Sequence, residues 1–478
     1  MFKSMTRRQF VHRSAAAAAA IGLPMFVNSR ALAANEEIRI AMVGCGGRNY
    51  AHIEGFGKQK GVRLALLCDP DRERLQSAAK RIESQFGNLP EQVVDVRKLM
   101  EKKDFDVVAV STMQYWHALP TIWACQTGRH VYVEKPLAHS IWEGRQMVNA
   151  ARKYNRLVQI GSQARSEEEV QHGIDYIKSG KLGKIQYVVC FANKPRVSIG
   201  KRSEPLPIPE TLDYELWCGP ARKEPIYRDK IQYDCSFTWN MGDGESCNQG
   251  VHEVDCARRL LGEAGLPRRV MSIGGRFVFN DAGDVPNTQI IYYDFPTAPV
   301  LYEVHNMRAG KDTQKRPLYR GRATDTCVQC EGGYVMLRGG TVMDNQGKLI
   351  KQFPGGGNHF VNFIGAVRSG KREDLHADIL EGHLSTNICH VGNISQRLGK
   401  KAAPEAARKQ IGDLPLFQKM FDDYLAHLKA HEIDPGESVL GPWLECDRER
   451  ECFKDHAEAN ALAKGSYREP FVVPAVEI

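Results

Sequence analysis

Apolar and polar positions alternate with strand-like and then helix-like spacing from Ile38 onward. The apolar run Ile38 to Val43 has strand length and leads directly into the turn Gly44-Cys45-Gly46-Gly47. A helical pattern follows through Ala51, Ile53 and Phe56, and a second apolar run, Val62 to Cys68, ends on Asp69. This order of strand, helix and strand predicts a mononucleotide-binding βαβ unit.

The glycine-rich turn is suited to hold the phosphates of a dinucleotide. Gly44 permits a tight turn, and Gly46 lets the backbone approach a pyrophosphate at the N-terminus of the following helix. Asp69 lies 25 residues after Gly44, where a carboxylate accepts hydrogen bonds from the adenosine ribose. Asp69 favours NAD, while Arg72 leaves room for the 2′-phosphate of NADP. The alternative is a glycine turn that holds no ligand.

Strands and helices continue to alternate up to about Gly161. Buried strands are predicted at Phe105 to Val110, His130 to Val133 and Leu157 to Ile160, with helices between them. Such alternation predicts an α/β fold with a parallel, doubly wound sheet. Ligands bind outside the carboxyl ends of strands in these sheets. Ser111, Thr112 and Lys135 lie at those ends and are therefore candidate cofactor contacts.

The pattern changes in the second half of the chain. A long loop rich in proline and charge, Lys194 to Asp213, precedes several strand-like runs: Val270 to Val278, Thr288 to Tyr293, Val300 to His305, Cys327 to Leu337 and Gly340 to Met343. These predict a second α/β domain with a large, mostly antiparallel open sheet. We assign residues 35–161 to the nucleotide domain, 162–400 to the sheet domain and 401–478 to an extension, helical to about Lys429 and then irregular.

The first 34 residues read as an export signal. Arg7 and Arg8 precede a soft apolar run, Ala15 to Phe26, and Ala31-Leu32-Ala33 offers small residues for cleavage. This resembles a twin-arginine signal peptide, which predicts a periplasmic protein with no stable membrane insertion after the signal is removed. The apolar run is too short and too rich in alanine to span a membrane well. A disordered basic tail is the alternative.

Charge and cysteine spacing argue against two kinds of ligand, nucleic acid and a metal ion. The net charge of +8 includes five basic leader residues, so the remaining chain carries only +3. Because no dense basic run is interleaved with aromatics, we expect no nucleic-acid binding. The 13 cysteines are scattered, and Cys327-Val328-Gln329-Cys330 is the only CxxC pattern. One such pair is a weak zinc or redox signal, so we expect buried thiols and predict no metal site.

Three motifs together resemble one protein family. They are Gly44-Cys45-Gly46-Gly47-Arg48, Glu134-Lys135-Pro136, and Gly244 with Asn248 and His252-Glu253-Val254-Asp255. This combination resembles the glucose–fructose oxidoreductase, inositol dehydrogenase and rhizopine-catabolism family, written Gfo/Idh/MocA, over Glu37 to Gly399. The resemblance implies a Rossmann domain, a sheet domain that carries the substrate, NAD (NADP possible), and hydride transfer at a sugar or cyclitol hydroxyl. Asn49 replaces the third glycine, and Asn248 stands where many dehydrogenase members have aspartate.

Alcohol oxidation needs a base for the hydroxyl proton and a positive group beside the developing alkoxide. Lys135 is the candidate positive group, with a solvated surface lysine as its alternative. His252 is the candidate base, since histidine titrates near neutral pH. At 100° per residue, Asn248, His252, Asp255 and Arg259 share one face of a single predicted helix, Asn248 to Gly262. The alternative is an amphipathic helix whose polar face meets water.

The remaining candidate residues complete the two predicted sites. The full cofactor set adds side chains around the turn and the strand ends: Gly44, Gly46, Gly47, Arg48, Asn49, Asp69, Ser111, Thr112, His117, Glu134 and Lys135. For His117 a helix-capping or core role is an equal alternative. The substrate set consists of Arg196, Trp239, Asn248, His252 and Asp255.

Three functions follow from these features. The first is an NAD(P)-dependent oxidoreductase acting on a secondary hydroxyl of a sugar, glycoside or cyclitol. The second is a glycosidase or lyase of the same fold, which oxidises its substrate transiently and recycles the nucleotide. The tyrosine-proline-threonine-histidine signature of exported NAD-dependent glycosidases is absent. The third is a non-catalytic sensor that binds nucleotide and sugar. We also expect a homo-oligomer.

Overall fold

The computed structural model describes residues 37–478, so the predicted twin-arginine signal, residues 1–34, lies outside the described residues. The first half alternates strands and helices. In chain order these are β1 (Ile38–Val43), α1 (Asn49–Gly57), β2 (Val62–Cys68), α2 (Arg72–Phe86), β3 (Glu91–Val93), α3 (Val96–Glu101), β4 (Val107–Val110), α4 (Ala118–Gln126), β5 (His130–Val133), α5 (Ile141–Lys153) and β6 (Val158–Ile160).

The six strands form one parallel sheet in the order β3-β2-β1-β4-β5-β6. Alternate side chains of β1 enter two different cores, because successive residues of a strand point to opposite faces. Ala41 and Val43 pack with α4 and α5, while Ile40 and Met42 pack with α1 and α2. The sheet is therefore buried on both faces, as the doubly wound prediction requires.

The second half begins with α6 (Glu168–Lys178), β7 (Ile185–Asn193) and an irregular segment that includes α7 (Tyr214–Cys218). Two consecutive helices follow, α8 (Gly244–Asn248) and α9 (Gly250–Leu261). The remaining elements are β8 (Arg269–Gly275), β9 (Thr288–Tyr293), β10 (Val300–His305), β11 (Thr324–Cys330), β12 (Gly333–Met336), β13 (Thr341–Met343), β14 (Leu349–Gln352), α10 (His359–Ser369), α11 (Ile379–Leu398), β15 (Lys400–Lys401), α12 (Pro404–Ile411), α13 (Pro415–Lys429), β16 (Val439–Leu440), β17 (Leu444–Asp447), β18 (Cys452–Phe453) and α14 (Ala457–Lys464).

These strands build a large mixed sheet in the order β14-β13-β12-β11-β7-β10-β9-β8-β16-β15, with β17 also paired to β8. Only β7 and β10 run parallel; the other neighbours are antiparallel. One face packs on α9 and α11, and the other packs on α12 and α13. The predicted fold class, a Rossmann sheet followed by an α/β domain with a mostly antiparallel sheet, is confirmed.

Three local predictions are wrong. The run Cys327 to Leu337 is a hairpin, because the two-residue turn Glu331-Gly332 lets β11 fold back onto β12. The single helix predicted from Asn248 to Gly262 is interrupted at Gln249, between α8 and α9. The chain after Lys429 is not irregular, since β16, β17, β18 and α14 follow.

Two segments from the second half of the chain, helix α10 and the C-terminal tail, pack against the first half. Helix α10 packs on the Rossmann core, where the Phe360 ring stacks on Tyr132 with centroids 5.4 Å apart. The terminal segment places Phe471 against Trp116 at 5.3 Å, and the Val476 amide donates to Gln146. Within residues 37–478, no helix has the length and apolar character that a membrane crossing requires.

Candidate functional site

The glycine turn after β1 is held by the ends of β2 and β4. Gly44 has φ +87°, and a Cβ there would lie 2.8 Å from the Thr112 backbone nitrogen, so no side chain fits. The Ser111 hydroxyl donates to the Gly44 carbonyl over 2.8 Å. The Cys45 amide donates to Asp69 over 2.7 Å. The turn thus lies at the carboxyl edge of the sheet, open to a ligand at the N-terminus of α1.

Asp69 is buried at the end of β2. Its two oxygens accept the amides of Cys45 and Asp71, and burial raises its pKa to about 6. The predicted phosphate contact Arg72 is exposed, whereas Arg74 reaches over the turn: a Cβ on Gly46 would lie 2.8 Å from Arg74 Nη1. Sequence reasoning missed Arg74, since nothing in the helical pattern distinguishes it from Arg72.

Glu134, at the end of β5, anchors the opposite wall. It accepts hydrogen bonds from Arg48 Nε at 2.8 Å and His52 Nε2 at 2.9 Å. Burial alone would raise the pKa of Glu134, but the bond from His52 and the charge of Arg48 hold it well below its usual range. An ionised carboxylate therefore directly precedes Lys135 in the chain, and it accepts the Lys135 backbone amide over 3.3 Å.

Lys135 connects the two domains. Its Nζ donates to the Asn248 backbone carbonyl and, over 3.2 Å, to the Asn248 side-chain oxygen. Burial lowers the pKa of Lys135, against the opposing charges of Glu134 and Glu245. The Asn248 amide in turn donates to the Tyr233 hydroxyl over 3.2 Å. In this arrangement Asn248 orients Lys135 with one end of its amide and Tyr233 with the other.

His252 comes from α9 and faces the same cavity. Burial lowers its pKa well below 6.5, and the charges of Lys135 and Arg338 lower it further. Its Nδ1 is buried and has no hydrogen-bond partner among the described residues. A neutral imidazole with an unused ring nitrogen is suited to accept a proton.

These groups line one cavity of about 660 Å³ between the domains. Of the predicted residues, the structure brings twelve to its wall: Gly44, Gly46, Gly47, Arg48, Asp69, Ser111, Thr112, His117, Glu134, Lys135, Asn248 and His252. His117 is buried, with its ring nitrogens 2.8 and 3.1 Å from the carbonyls of Pro136 and Thr112. Those contacts suit a positioning role for its imidazole.

Four predicted residues lie outside this wall. Asn49 is buried beside Ser111, 3.5 Å from its hydroxyl. Arg196 forms a bidentate ion pair with buried Glu245, and the Trp239 ring lies under the Arg397 guanidinium. Asp255 forms a buried ion pair with Arg165 over 2.8 Å. Asn248 and His252 line the cavity together, although the helix is interrupted between them at Gln249. Asp255, three residues after His252 on α9, contacts Arg165 instead, so the predicted stripe is present only in part.

Sequence reasoning missed part of the substrate-side wall. Gln232, Tyr233 and Ser236 enter the cavity from the irregular segment between β7 and α8. Tyr233 has φ +63°, and its hydroxyl accepts from Arg196 and Asn248. Lys194, in the Asn193-Lys194-Pro195-Arg196 motif, also lines the wall and donates to Gln249. Lys194 could have been found from that motif; no pattern marks Tyr233.

Cys327 and Cys330 do not form a paired site. They are three residues apart on β11, so their side chains enter opposite faces of the sheet. Both are buried, as are all the other cysteines except the half-buried Cys452.

Comparisons with known proteins agree with this geometry. Residues 38–162 match a family model, GFO_IDH_MocA, described as an oxidoreductase family with an NAD-binding Rossmann fold. The comparisons support this family for the first domain, which is an NAD-binding Rossmann domain.

Curated relatives align over the first domain. A glycosyl hydrolase family 109 protein of Shewanella sp. strain MR-4 is 28% identical over 156 residues, covering 31% of this chain and 34% of the relative. An alpha-N-acetylgalactosaminidase of Shewanella oneidensis is 27% identical over 154 residues, with 31% and 34% covered. The match therefore spans about a third of the length of these relatives.

Solved structures share the fold over most of the chain. The WlbA dehydrogenase of Bordetella pertussis, crystallised with NADH and UDP-GlcNAcA, has a TM-score of 0.57 at 20% identity, covering 76% of this chain and 97% of that one. An aldose-aldose oxidoreductase of Caulobacter crescentus, crystallised with glycerol, has a TM-score of 0.53 at 17% identity, with 74% and 95% covered. This likeness shows that the shared fold extends beyond the first domain.

Proposed function

We propose that this chain is an NAD-dependent oxidoreductase that oxidises a secondary hydroxyl of a sugar, glycoside or cyclitol. The observation that supports it is the meeting of Lys135 and His252, from different domains, in the cavity that also contains the glycine turn and Asp69. Besides a hydride acceptor, alcohol oxidation needs a base for the hydroxyl proton and a positive group beside the developing alkoxide. His252 and Lys135 are suited to these two roles.

The residues at the turn fit a dinucleotide. Gly44 and Gly46 form a cradle without side chains, and Asp69 lies where a ribose diol would donate to its carboxylate. NAD, when bound, supplies the hydride acceptor. Ser111, Thr112 and His117 border the same wall and would position its nicotinamide half.

The chain's own groups then handle the proton and the charge. His252 takes the hydroxyl proton on its neutral ring, since burial and nearby cations keep the imidazole unprotonated. Lys135 stabilises the oxygen as negative charge develops on it. Asn248 holds Lys135 in place, because the lysine donates to both its carbonyl and its side chain.

The decisive experiment has two readouts on one purified protein. Denaturing the chain and identifying the released nucleotide by mass spectrometry should yield NAD(H). Incubation with a panel of sugars, glycosides and cyclitols should then convert NAD⁺ to NADH, measured by absorbance. A protein that releases no nucleotide, and does not bind added NAD in titration calorimetry, would refute the proposal.

A redox-neutral glycosidase is the second candidate, favoured by the glycosyl hydrolase family 109 relatives. In that reaction a ring hydroxyl is oxidised, a proton beside the new carbonyl is removed and the aglycone leaves. Water then adds to the resulting double bond, which returns a proton to the carbon beside the carbonyl, and the hydride returns to the carbonyl carbon. Such an enzyme would release the aglycone from an aryl glycoside without accumulating NADH. In deuterated water the product would gain deuterium at the carbon beside the oxidised position, whereas a simple dehydrogenase would add none. A non-catalytic sensor would bind nucleotide and sugar without either signal.

Export is proposed on the leader sequence alone. Arg7 and Arg8, with the apolar run that follows, would direct the folded chain through the twin-arginine route to the periplasm. A homo-oligomeric state is likewise a proposal, to be measured by light scattering.

A further inference from the structure

A second group of reactive side chains lies outside the cavity. Asp243, Cys247 and His390 are all buried, and one ligand atom of each lies within 4.8 Å of the others. Asp243 directly precedes α8, Cys247 lies within α8, and His390 comes from the middle of α11. We propose that these three side chains bind a divalent zinc-type cation.

The separation between His390 and Asp243 suits a shared metal better than a direct hydrogen bond. His390 Nδ1 lies 3.9 Å from Asp243 Oδ1, too far for a hydrogen bond. Ligand atoms of a tetrahedral zinc are about 3.3–3.8 Å apart, given metal–ligand distances of about 2.0–2.3 Å. Small side-chain movements would therefore bring the three ligand atoms to the distances of a tetrahedral zinc site.

The carboxylate of Asp243 has only long contacts in the described part of the chain. Gln114 Nε2 donates over 3.4 Å, and His139 Nε2 lies 3.8 Å away. A buried carboxylate is costly unless it is paired or coordinates a metal. An imidazolium of His390 would be the alternative partner, but that pairing needs a shorter distance than the one observed.

The surroundings fix the ring of His390 for coordination. Its Nε2 lies 3.0 Å from the Ala138 carbonyl, and a carbonyl only accepts, so Nε2 carries the proton. When the ring is neutral, Nδ1 therefore carries an unprotonated lone pair, which a cation shared with Asp243 and Cys247 could use. Asn393 donates to the Asp243 carbonyl over 2.9 Å and to the Cys247 sulfur over 3.6 Å. Such outer partners are typical of metal sites.

The donor set identifies the class of cation. One imidazole nitrogen, one thiolate and one carboxylate oxygen suit Zn²⁺, while Mg²⁺ and Ca²⁺ prefer oxygen alone.

A cavity of about 10 Å³ adjoins the cluster and is lined by His139 and Arg397 among others, with room for about one water. A water or His139 would complete four-coordination. Arg397 stacks on Trp239 at 5.1 Å.

The site would brace the cavity described above without entering the chemistry. It ties α8 to α11 and, through Ala138, to the loop that follows Lys135. Helix α8 ends at Asn248, whose carbonyl and side chain hold Lys135. The cation would therefore act structurally, and its binding is independent of which reaction the protein catalyses.

The test uses the full chain purified without a polyhistidine tag. After removal of metal with EDTA, the protein is loaded with ZnCl₂, dialysed, and analysed by mass spectrometry for metal content. We expect one zinc per chain in the wild type and in the control Cys256→Ser, another buried cysteine. Cys247→Ser should weaken zinc binding at least about 100-fold. Equal zinc retention by Cys247→Ser and the wild type would overturn the proposal.

Cobalt gives a readout that needs no variant. Co²⁺ added to the metal-free wild type should produce a sulfur-to-cobalt charge-transfer band and the intense visible bands of tetrahedral cobalt. EDTA should also lower the thermal midpoint of the zinc-loaded wild type and leave that of Cys247→Ser unchanged. A wild-type spectrum without the charge-transfer band would exclude thiolate coordination and refute the site, even if Cys247→Ser fails to fold.

Discussion

At the residue scale, the cavity is organised by charges that set one another's protonation. Ionised Glu134 accepts the Lys135 backbone amide and favours the charged form of Lys135, while burial and the Lys135 charge keep His252 neutral. The same lysine is held by two oxygens of Asn248. A single positive group thus both faces the substrate space and lowers the proton affinity of the proposed base. These residues act together, so the effects of their substitutions will not simply add.

His252→Ala should reduce turnover by about 10²-fold or more while NAD affinity stays nearly unchanged, because a general base is lost and the nucleotide cradle is untouched. Lys135→Met should likewise reduce turnover and leave the NAD affinity nearly unchanged. Steady-state kinetics and titration calorimetry measure the two quantities. The matched control is His172→Ala, an exposed histidine of α6. Full turnover in the His252 variant would end its assignment as the base.

Asp69 predicts a pH dependence of nucleotide binding. Burial raises its pKa to about 6, so the carboxyl takes up a proton as the pH falls through that value and must lose it to accept ribose hydrogen bonds. The dissociation constant for NAD should be constant above about pH 7 and rise toward about tenfold per pH unit below pH 6. In Asp69→Asn the binding should be weaker and this pH dependence absent. A variant that retains the wild-type pH profile would show that another group titrates.

At the element scale, His252 and Asp255 of α9 have different roles, although the sequence pattern had joined them. Asn248 and His252 face the cavity, whereas Asp255 turns to Arg165 and Ser385 in the interior. The Arg165 charge holds the pKa of Asp255 below its usual range, although burial alone would raise it. The pair joins α9 to the segment before α6.

Asp255→Asn should therefore lower stability rather than act on the chemistry. Loss of one partner of a buried ion pair costs about 3–5 kcal/mol, and the lower end applies here because Arg165 retains Glu381 at 3.0 Å. Urea unfolding measures the change. Asp423→Asn breaks the exposed pair with Lys419 and should cost at most about 0.5 kcal/mol. A variant at Asp255 as stable as the Asp423 control, but with turnover reduced a hundredfold, would contradict this role.

Much of the element order follows from spacing. The strands Thr288–Tyr293 and Val300–His305 were predicted to the residue, since each is an apolar run bounded by turn residues. The hairpin at Glu331-Gly332 was not, because β11 and β12 are both apolar and the turn between them is only two residues long. Helical angles placed Asp255 near the face of His252, but they do not show that Arg165 pairs with Asp255 in the interior. Tertiary contacts, such as that of Arg74 with the glycine turn, leave no periodic signal.

At the scale of the whole molecule, the nucleotide site depends on distant parts of the chain. Helix α10 covers α1, the tail residue Phe471 packs on Trp116, and the irregular segment before α8 closes the substrate side of the cavity. Helices α12 and α13 cover the second face of the large sheet. Sequence reasoning divided the chain into consecutive blocks because composition changes along the chain, but packing joins residues hundreds of positions apart. The wall of the cavity, which comes from residues 43–252, is thus supported by segments as distant as the C-terminal tail.

That dependence bears on the proposed export. A cavity whose wall is supported by the C-terminal tail would acquire NAD only in a compartment that supplies the nucleotide, and the twin-arginine route carries proteins that have already folded. Replacing Arg7 and Arg8 by lysine should therefore leave a folded, NAD-containing precursor in the cytoplasm, detected by cell fractionation and by nucleotide analysis of the retained protein. Arg13→Lys, outside the pair, should be delivered normally. Undiminished periplasmic delivery of the double-lysine protein would show that another route carries this chain.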